Sequence, residues 1–172
     1  MTPCVLLKGS LRWWTTTGEH HVKGTVIFDV LVNPLASVLP SKPEPRYRIR
    51  YDGDGVIGGK SSYFTSGSFF LPSGPWQLYD SKLKSENSKG RAILVQFKPN
   101  SQGLDWFQLS VPITDTCDEG RLFVKAIKRA QAEHEEYMAD QKHHLQLKAS
   151  QLKASQLTAS ELKASHRSKS AH

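Results

Sequence analysis

The sequence predicts a mainly β protein: an antiparallel β-sandwich followed by a C-terminal helix and a low-complexity tail. Short alternating apolar segments, separated by breaks rich in glycine and proline, recur through the first 115 residues. A helix-capping signal and helical spacing of apolar residues begin at Thr116. From residue 147 the five-residue unit LKASQ is copied almost four times. The predicted domains are therefore 1–115, 116–146 and 147–172.

The first two predicted strands form an antiparallel pair. Residues 6–14 and 22–32 are rich in apolar and β-branched side chains, and a short polar segment separates them. Val26, Phe28 and Val30 share one face of the second strand, which indicates a buried side. The prolines that follow, from Pro34 onward, predict a long irregular connection.

Five further strands are predicted before the helix. They cover residues 46–51, 63–71, 76–79, 91–97 and 104–111. Breaks such as the Pro-Ser-Gly-Pro sequence at 72–75 separate them. Seven or so short strands at this spacing are typical of a β-sandwich or barrel.

The helix is predicted over residues 116–146. Thr116 and Glu119 fit the Ser/Thr-x-x-Glu capping box, and Phe123 and Ile127 begin an apolar series at helical spacing. An alternative interpretation makes residues 118–120 a hairpin turn and residues 122–127 a last strand. In the tail, leucines five residues apart spiral around a helix axis, so the tail is expected to be helical only in part and to form no core.

The positive charge is concentrated in the rear of the chain. The 172 residues carry a net charge of +7. Residues 1–120 contain 13 basic and 11 acidic side chains, whereas residues 121–172 contain 10 basic and 5 acidic ones. Such a segment either neutralises phosphates or keeps the chain soluble, and both interpretations remain open.

One strand presents three arginines in a row. Arg46, Arg48 and Arg50 alternate with Tyr47 and Ile49, so they share the exposed face. Guanidinium groups bind phosphate or carboxylate oxygens in pairs, but charges on an edge strand also prevent unwanted sheet pairing. The candidate anion- or nucleic-acid-binding residues are Arg46, Arg48, Arg50, Lys148, Lys153, Lys163, Arg167 and Lys169.

Aromatic side chains offer a second route to nucleic acid. They stack on bases in some binding sheets, but such residues more often fill a core or a subunit contact. The set considered is Trp13, Trp14, Trp76, Trp106 and Phe107.

No cofactor is predicted from the glycine-rich segment. Residues 53–58 fit the pattern G-x-G-x-x-G, but the helix that a dinucleotide-binding loop requires does not follow. A glycine-rich hairpin loop is preferred. Asp52 and Asp54 lack the further ligands of a calcium loop, so a solvated turn is expected there.

No metal or catalytic site is predicted either. The pairs at 20–21 and 143–144 direct adjacent histidines to different faces, and Cys4 and Cys117 are too few for a zinc site. No nucleophile motif is present, so the chain is not expected to be an enzyme. No signal peptide or membrane span is expected.

Two parts of the chain resemble the jelly-roll coat proteins of picorna-like positive-strand RNA viruses. They are residues 5–34, which contain LKGSLRWWTTTGEHHVKGTVIFDVLVNP, and residues 89–113, which contain GRAILVQFKP and LDWFQLSVPI. The resemblance implies a jelly-roll-like sandwich that works as a capsid subunit, associates with other coat subunits and contacts RNA through basic groups. The implied location is the virion or the host cytoplasm. The alternative is a non-assembling β-sandwich module that binds an anionic ligand or nucleic acid.

Overall fold

The structure is a computed structural model that describes residues 4–31, 43–72, 74–85, 88–114 and 116–169. The elements are β1 Val5–Thr15, β2 Gly18–Leu31, β3 Arg46–Ile57, β4 Lys60–Phe70, β5 Gln77–Ser85, β6 Ser88–Gln96, β7 Trp106–Pro112 and α1 Glu119–Lys169. The chain divides into two compact units, residues 1–135 and 136–172, and each is described by itself.

The predicted mainly β, antiparallel fold with a C-terminal helix is confirmed. All seven strands belong to one sheet with the order β4-β3-β2-β1-β7-β6-β5, and every neighbouring pair is antiparallel. The predicted β1–β2 pair runs in register from Val5 opposite Phe28 to Thr15 opposite Gly18. Most strands neighbour the next one in sequence, in place of the crossing connections of a jelly roll. The predicted irregular connection at 32–42 lies outside the described residues.

The single sheet is strongly curved, which gives it a sandwich-like form. In a flat seven-stranded sheet the two edge strands stand about 29 Å apart. The edges β4 and β5 are joined by the short segment from Phe70 to Gln77, which reaches about 25 Å at most. Curvature brings distant strands together, since the rings of Phe69 in β4 and Phe107 in β7 lie 6.0 Å apart.

The first part of α1 fills the concave side of the sheet. The Phe123 ring meets Phe28 edge-on at 5.7 Å and Phe107 at 6.3 Å. Burial of each such side chain contributes about 1.5–3 kcal/mol. The fully buried apolar residues include Leu7, Leu11, Val22, Val26, Phe28, Ile49, Ile93, Val95, Leu104, Phe107, Leu109, Phe123, Ile127 and Ala130.

The helix begins at Glu119, and its capping residue lies two positions after the predicted one. Thr116 was the expected capping residue, but the carboxylate of Asp118 accepts the hydrogen bond from the Arg121 amide at 3.2 Å. The alternative of a last strand at 122–127 is wrong, because these residues are helical. Four of them are buried, namely Phe123, Val124, Ala126 and Ile127.

The second unit contains the rest of the helix. α1 continues through residue 146 to Lys169, so the repeats are helical along their described length and not only in part. Leu147, Leu152, Leu157 and Leu162 are 49%, 64%, 65% and 59% exposed, which confirms that these leucines form no core. A five-residue step turns the helix by about 500°, so successive leucines point in different directions.

Candidate nucleic-acid interface

The three predicted arginines lie together on the outward face of β3. The register places Arg48 opposite Asp29 of β2, and Arg48 donates from Nε and Nη2 to the two carboxylate oxygens at 3.0 and 2.9 Å. Arg50 reaches the same carboxylate at 2.9 Å. The Arg46 guanidinium instead lies over the Phe70 ring, 4.3 Å from its centre. Part of the predicted anion-binding capacity is therefore used within the sheet.

The carboxylate between these arginines is held ionised. Asp29 is buried, and the hydrogen bonds from Arg48, together with the charges of Arg48 and Arg50, lower its pKa below the usual value. One negative charge against three positive ones leaves the cluster with a charge of +2. The Nε atom of Arg50 is buried and has no hydrogen-bond partner within the described part of the chain.

The predicted basic residues of the tail lie on α1 in the second unit. Lys148, Lys153, Lys163, Arg167 and Lys169 are all exposed, as is Lys142 before them. Between residues 141 and 169 there are six lysines and arginines and a single carboxylate, Glu161, which gives a net charge of +5. At about 100° per residue the six cations point into roughly 200° of the helix circumference, so the segment is positive on one broad side.

The glycine-rich segment has a structural role. Residues 53–57 belong to β3, and Gly58 and Gly59 form the turn to β4 with φ angles of +58° and +78°. Two consecutive left-handed residues are what a tight hairpin turn requires. A Cβ atom on Gly53 or Gly55 would overlap backbone of β2, so these glycines permit close strand approach. The predicted glycine-rich hairpin is confirmed, with its turn at Gly58 and Gly59.

His20 joins two hairpin turns. Its Nδ1 accepts from the Gly58 amide at 3.1 Å, so Nε2 carries the proton and donates to the hydroxyls of Thr15 and Thr17 at 2.9 and 3.2 Å. The ring stacks on Trp13 at 4.9 Å. Burial lowers the pKa of His20, which favours the neutral form that this arrangement needs. His20 is thus a structural residue.

The remaining candidate ligands are dispersed. Asp54 accepts from the Phe64 amide at 2.7 Å, while His143 and His144 lie exposed on α1. Both cysteines are free and exposed. Within the described ranges, no three acidic, histidine or cysteine side chains are grouped as a metal site requires.

The aromatic candidates divide between core and surface. Trp13, Trp76 and Phe107 are buried, so they do not serve as exposed stacking platforms. Trp106 is half-buried and Trp14 is 49% exposed. The most exposed aromatic residues are Tyr63 and Phe64, which the sequence interpretation placed in an ordinary strand.

Among the described residues, no helix combines the length and the apolar character that crossing a membrane requires.

Comparison with known proteins gives no relative. No family model, no curated protein and no solved structure matches the chain. The function is therefore inferred from the residues of this chain.

Proposed function

We propose that this chain is a structural protein of the coat type, which binds RNA through residues 141–169 and associates with other copies of itself. The observation that carries the proposal is the charge of this segment: six cations and one carboxylate on an exposed helix. A solvated cationic segment releases counterions from a phosphate backbone, which gives salt-dependent affinity with little sequence preference.

The repeat leucines form no apolar stripe, which supports binding to a polyanion rather than to a protein groove. Recognition of a helix by a groove needs apolar anchors at i, i+3, i+4 and i+7. The leucines of the repeat are five residues apart, so they do not line one face. A flexible single strand can follow the positive side of the helix, so the lysines need no regular spacing.

The RNA-binding part is tested by the salt dependence of affinity. We expect the affinity for a single-stranded RNA without secondary structure to fall steeply with salt, with a logarithmic slope of about −4 if all six cations contact phosphates. The triple variant Lys148→Gln, Lys153→Gln, Lys163→Gln should reduce the slope by about 2. Fluorescence anisotropy of labelled RNA measures both values.

A matched control removes the same charge from the sheet. Lys8, Lys23 and Lys60 are exposed residues of β1, β2 and β4, and their triple glutamine variant should retain most of the wild-type slope. Equal slopes for the two triple variants would show that the helical segment has no special role and would contradict the proposal.

The coat-type part is tested by assembly. Sedimentation and electron microscopy of the purified chain, with and without RNA, should show oligomers or particles under some conditions of salt and pH. Monomers under every condition would count against a coat protein while leaving RNA binding intact.

A second candidate function is anion binding at the arginine cluster, which its net charge of +2 on the outward face of β3 favours. It predicts that RNA affinity is lost in the double variant Arg48→Ala, Arg50→Ala and is little changed by the triple lysine variant. The opposite pattern supports binding by the helix. Arg12→Ala is the control, since its ion pair with Glu19 is on the surface.

A further inference from the structure

A bulge in an edge strand presents two aromatic side chains to solvent. Gly53 pairs with Thr65 and Gly55 with Ser62, so Asp54 of β3 faces both Tyr63 and Phe64 of β4. Tyr63 is 78% exposed and Phe64 is 92% exposed. We call these two residues the aromatic knob.

The knob is held in place against two unfavourable terms. Phe64 has a φ of +53°, which a bulky L residue rarely adopts. Its amide is fixed by the Asp54 carboxylate at 2.7 Å. An aromatic ring exposed to water also lacks the favourable free energy of burial. Strained backbone that carries an exposed aromatic residue is typical of a contact surface.

The opposite edge of the sheet carries a recess of suitable chemistry. A shallow basin of about 520 Å³ lies beside the start of β5 and the loop between β6 and β7. Four apolar residues line it, namely Pro75, Phe97, Pro99 and Trp106, together with the polar residues Gln77, Gln96, Lys98 and Asp105. Apolar walls with a few polar groups accept aromatic rings that end in a hydroxyl.

We propose that the aromatic knob of one copy packs into this basin on a second copy. The high exposure of Phe64 shows that the knob does not occupy the basin of its own chain. A surface that fits a different surface on an identical molecule gives a head-to-tail contact, which extends into rings or chains. The inference rests on the self-association in the proposed function, for which it names the interface.

Charge favours a second copy over RNA as the partner of the knob. The carboxylate of Asp54 is directly opposite the bulge, and Asp52 is paired with Ser66 in the same ladder. Asp54 also has Lys23 of β2 opposite it, so these two carboxylates and one ammonium group leave a net charge of −1, which does not attract a phosphate backbone. On a second copy, Lys98 and Asp105 both line the basin, so its charge is balanced and does not repel the knob.

The surface area that the knob can bury indicates a contact that is weak in a single pair of copies and stronger when many copies are held together. Two aromatic side chains bury about 300–500 Å². This is below the roughly 800 Å² that each partner buries in a stable interface. We therefore expect association that depends on concentration, and that is strengthened when many copies are held together on one RNA.

The test uses complementary variants of the full chain. The double variant Tyr63→Ser, Phe64→Gly removes the knob, and glycine accepts the left-handed φ. Gln77→Arg places a long charged side chain at the basin. Sedimentation velocity over a wide concentration range measures association, and thermal unfolding verifies that both variants are folded. Trp14→Ser is a control that removes an exposed aromatic side chain from β1.

We expect the wild type and the Trp14 variant to associate, and each of the other two variants to associate at least about tenfold more weakly. An equal mixture of the two weak variants should form a heterodimer, because one copy retains the basin and the other retains the knob. Loss of association in the knob variant but not in the basin variant would overturn the inference, because it would indicate that two β4 edges pair with each other. So would a mixture that stays monomeric.

Two further outcomes separate this inference from the proposed function. Association that neither variant weakens would overturn the knob-and-basin contact and leave a coat-type protein with another interface. Loss of RNA affinity in the knob variant with unchanged association would overturn the contact in favour of base stacking. A wild type that never associates would contradict both the contact and the coat-type proposal.

Discussion

The Arg91 side chain joins the sheet to the start of the helix, and its removal tests how much this buried ionic contact stabilises the fold. Arg91 of β6 donates from Nε and Nη2 to Asp118 at 3.1 and 2.6 Å, and from Nη1 to both oxygens of Asp80 at 2.7 Å. Asp118 also caps α1. The substitution Arg91→Met removes the charge and keeps an apolar stem of similar length.

The expected loss follows from the exposure of the three charges. The Arg91 side chain is only 7% exposed, while those of Asp80 and Asp118 are 31% and 26% exposed. Removing one partner of a fully buried pair costs about 3–5 kcal/mol. Because water still reaches both carboxylates, we expect about 2–3 kcal/mol, a decrease in Tm of roughly 6–12 °C for a unit of this size.

Urea unfolding at neutral pH measures this loss, and Arg12→Met is the matched control. Arg12 and Glu19 are also 2.7 Å apart, but their side chains are 53% and 40% exposed, so the control should lose less than about 1 kcal/mol. Equal losses in the two variants would refute the argument from burial.

The same comparison has a predicted pH dependence. Hydrogen bonds from Arg91 lower the pKa of Asp118, so this pair stabilises the folded state above about pH 4, the pKa of an aspartate in the unfolded chain. As the pH falls through the lowered pKa, the stabilisation is lost. The difference in the free energy of unfolding between the wild type and Arg91→Met should therefore decrease in acid. A difference that increases would contradict the stabilising role of the Arg91–Asp118 pair.

Two further variants test the hairpin turns. Burial lowers the pKa of His20, so below about pH 6.5 the unfolded chain binds a proton more readily than the folded one and the free energy of unfolding falls, by at most about 1.4 kcal/mol per pH unit. His20→Gln should reduce this fall, and urea midpoints with the same pH profile in the wild type and the variant would contradict the prediction. Gly59→Ala should cost about 1–2 kcal/mol through its φ of +78° alone, because no atom approaches its Cβ position within 4 Å. Gly90→Ala, at a strand position with φ outside the left-handed region, should cost little, and equal thermal shifts for the two glycine variants would refute the backbone argument.

The strands were predictable because their interior faces alternate strictly. Val26 and Phe28, both assigned to one face of the second strand, are fully buried. The curvature of the sheet was harder to predict from the sequence, since it depends on which strands become the edges. The glycine pattern carried a signal for it: Gly53 and Gly55 are places where only a missing side chain lets two backbones approach.

The arginine cluster was predicted as three residues and observed as four. Asp29 lies 19 residues before Arg48, and the long connection between their strands does not allow the register of the two strands to be predicted. A signal was present, because Asp29 and the arginines fall on the outward faces of successive strands. The aromatic knob could not be predicted, since alternation places one of two adjacent residues inward and only the bulge exposes both.

The helix illustrates how stability and binding are carried by different groups. Residues before 136 include every buried apolar side chain of α1, whereas the six cations after residue 140 are exposed. Charges that make no buried contact contribute little to folding, but each releases a counterion when it meets a phosphate. The triple lysine variant should therefore alter the salt slope of RNA binding and leave the urea midpoint unchanged. Arg91→Met should lower the midpoint and leave the salt slope unchanged, so a shift of both quantities by either variant would show that folding and binding are coupled.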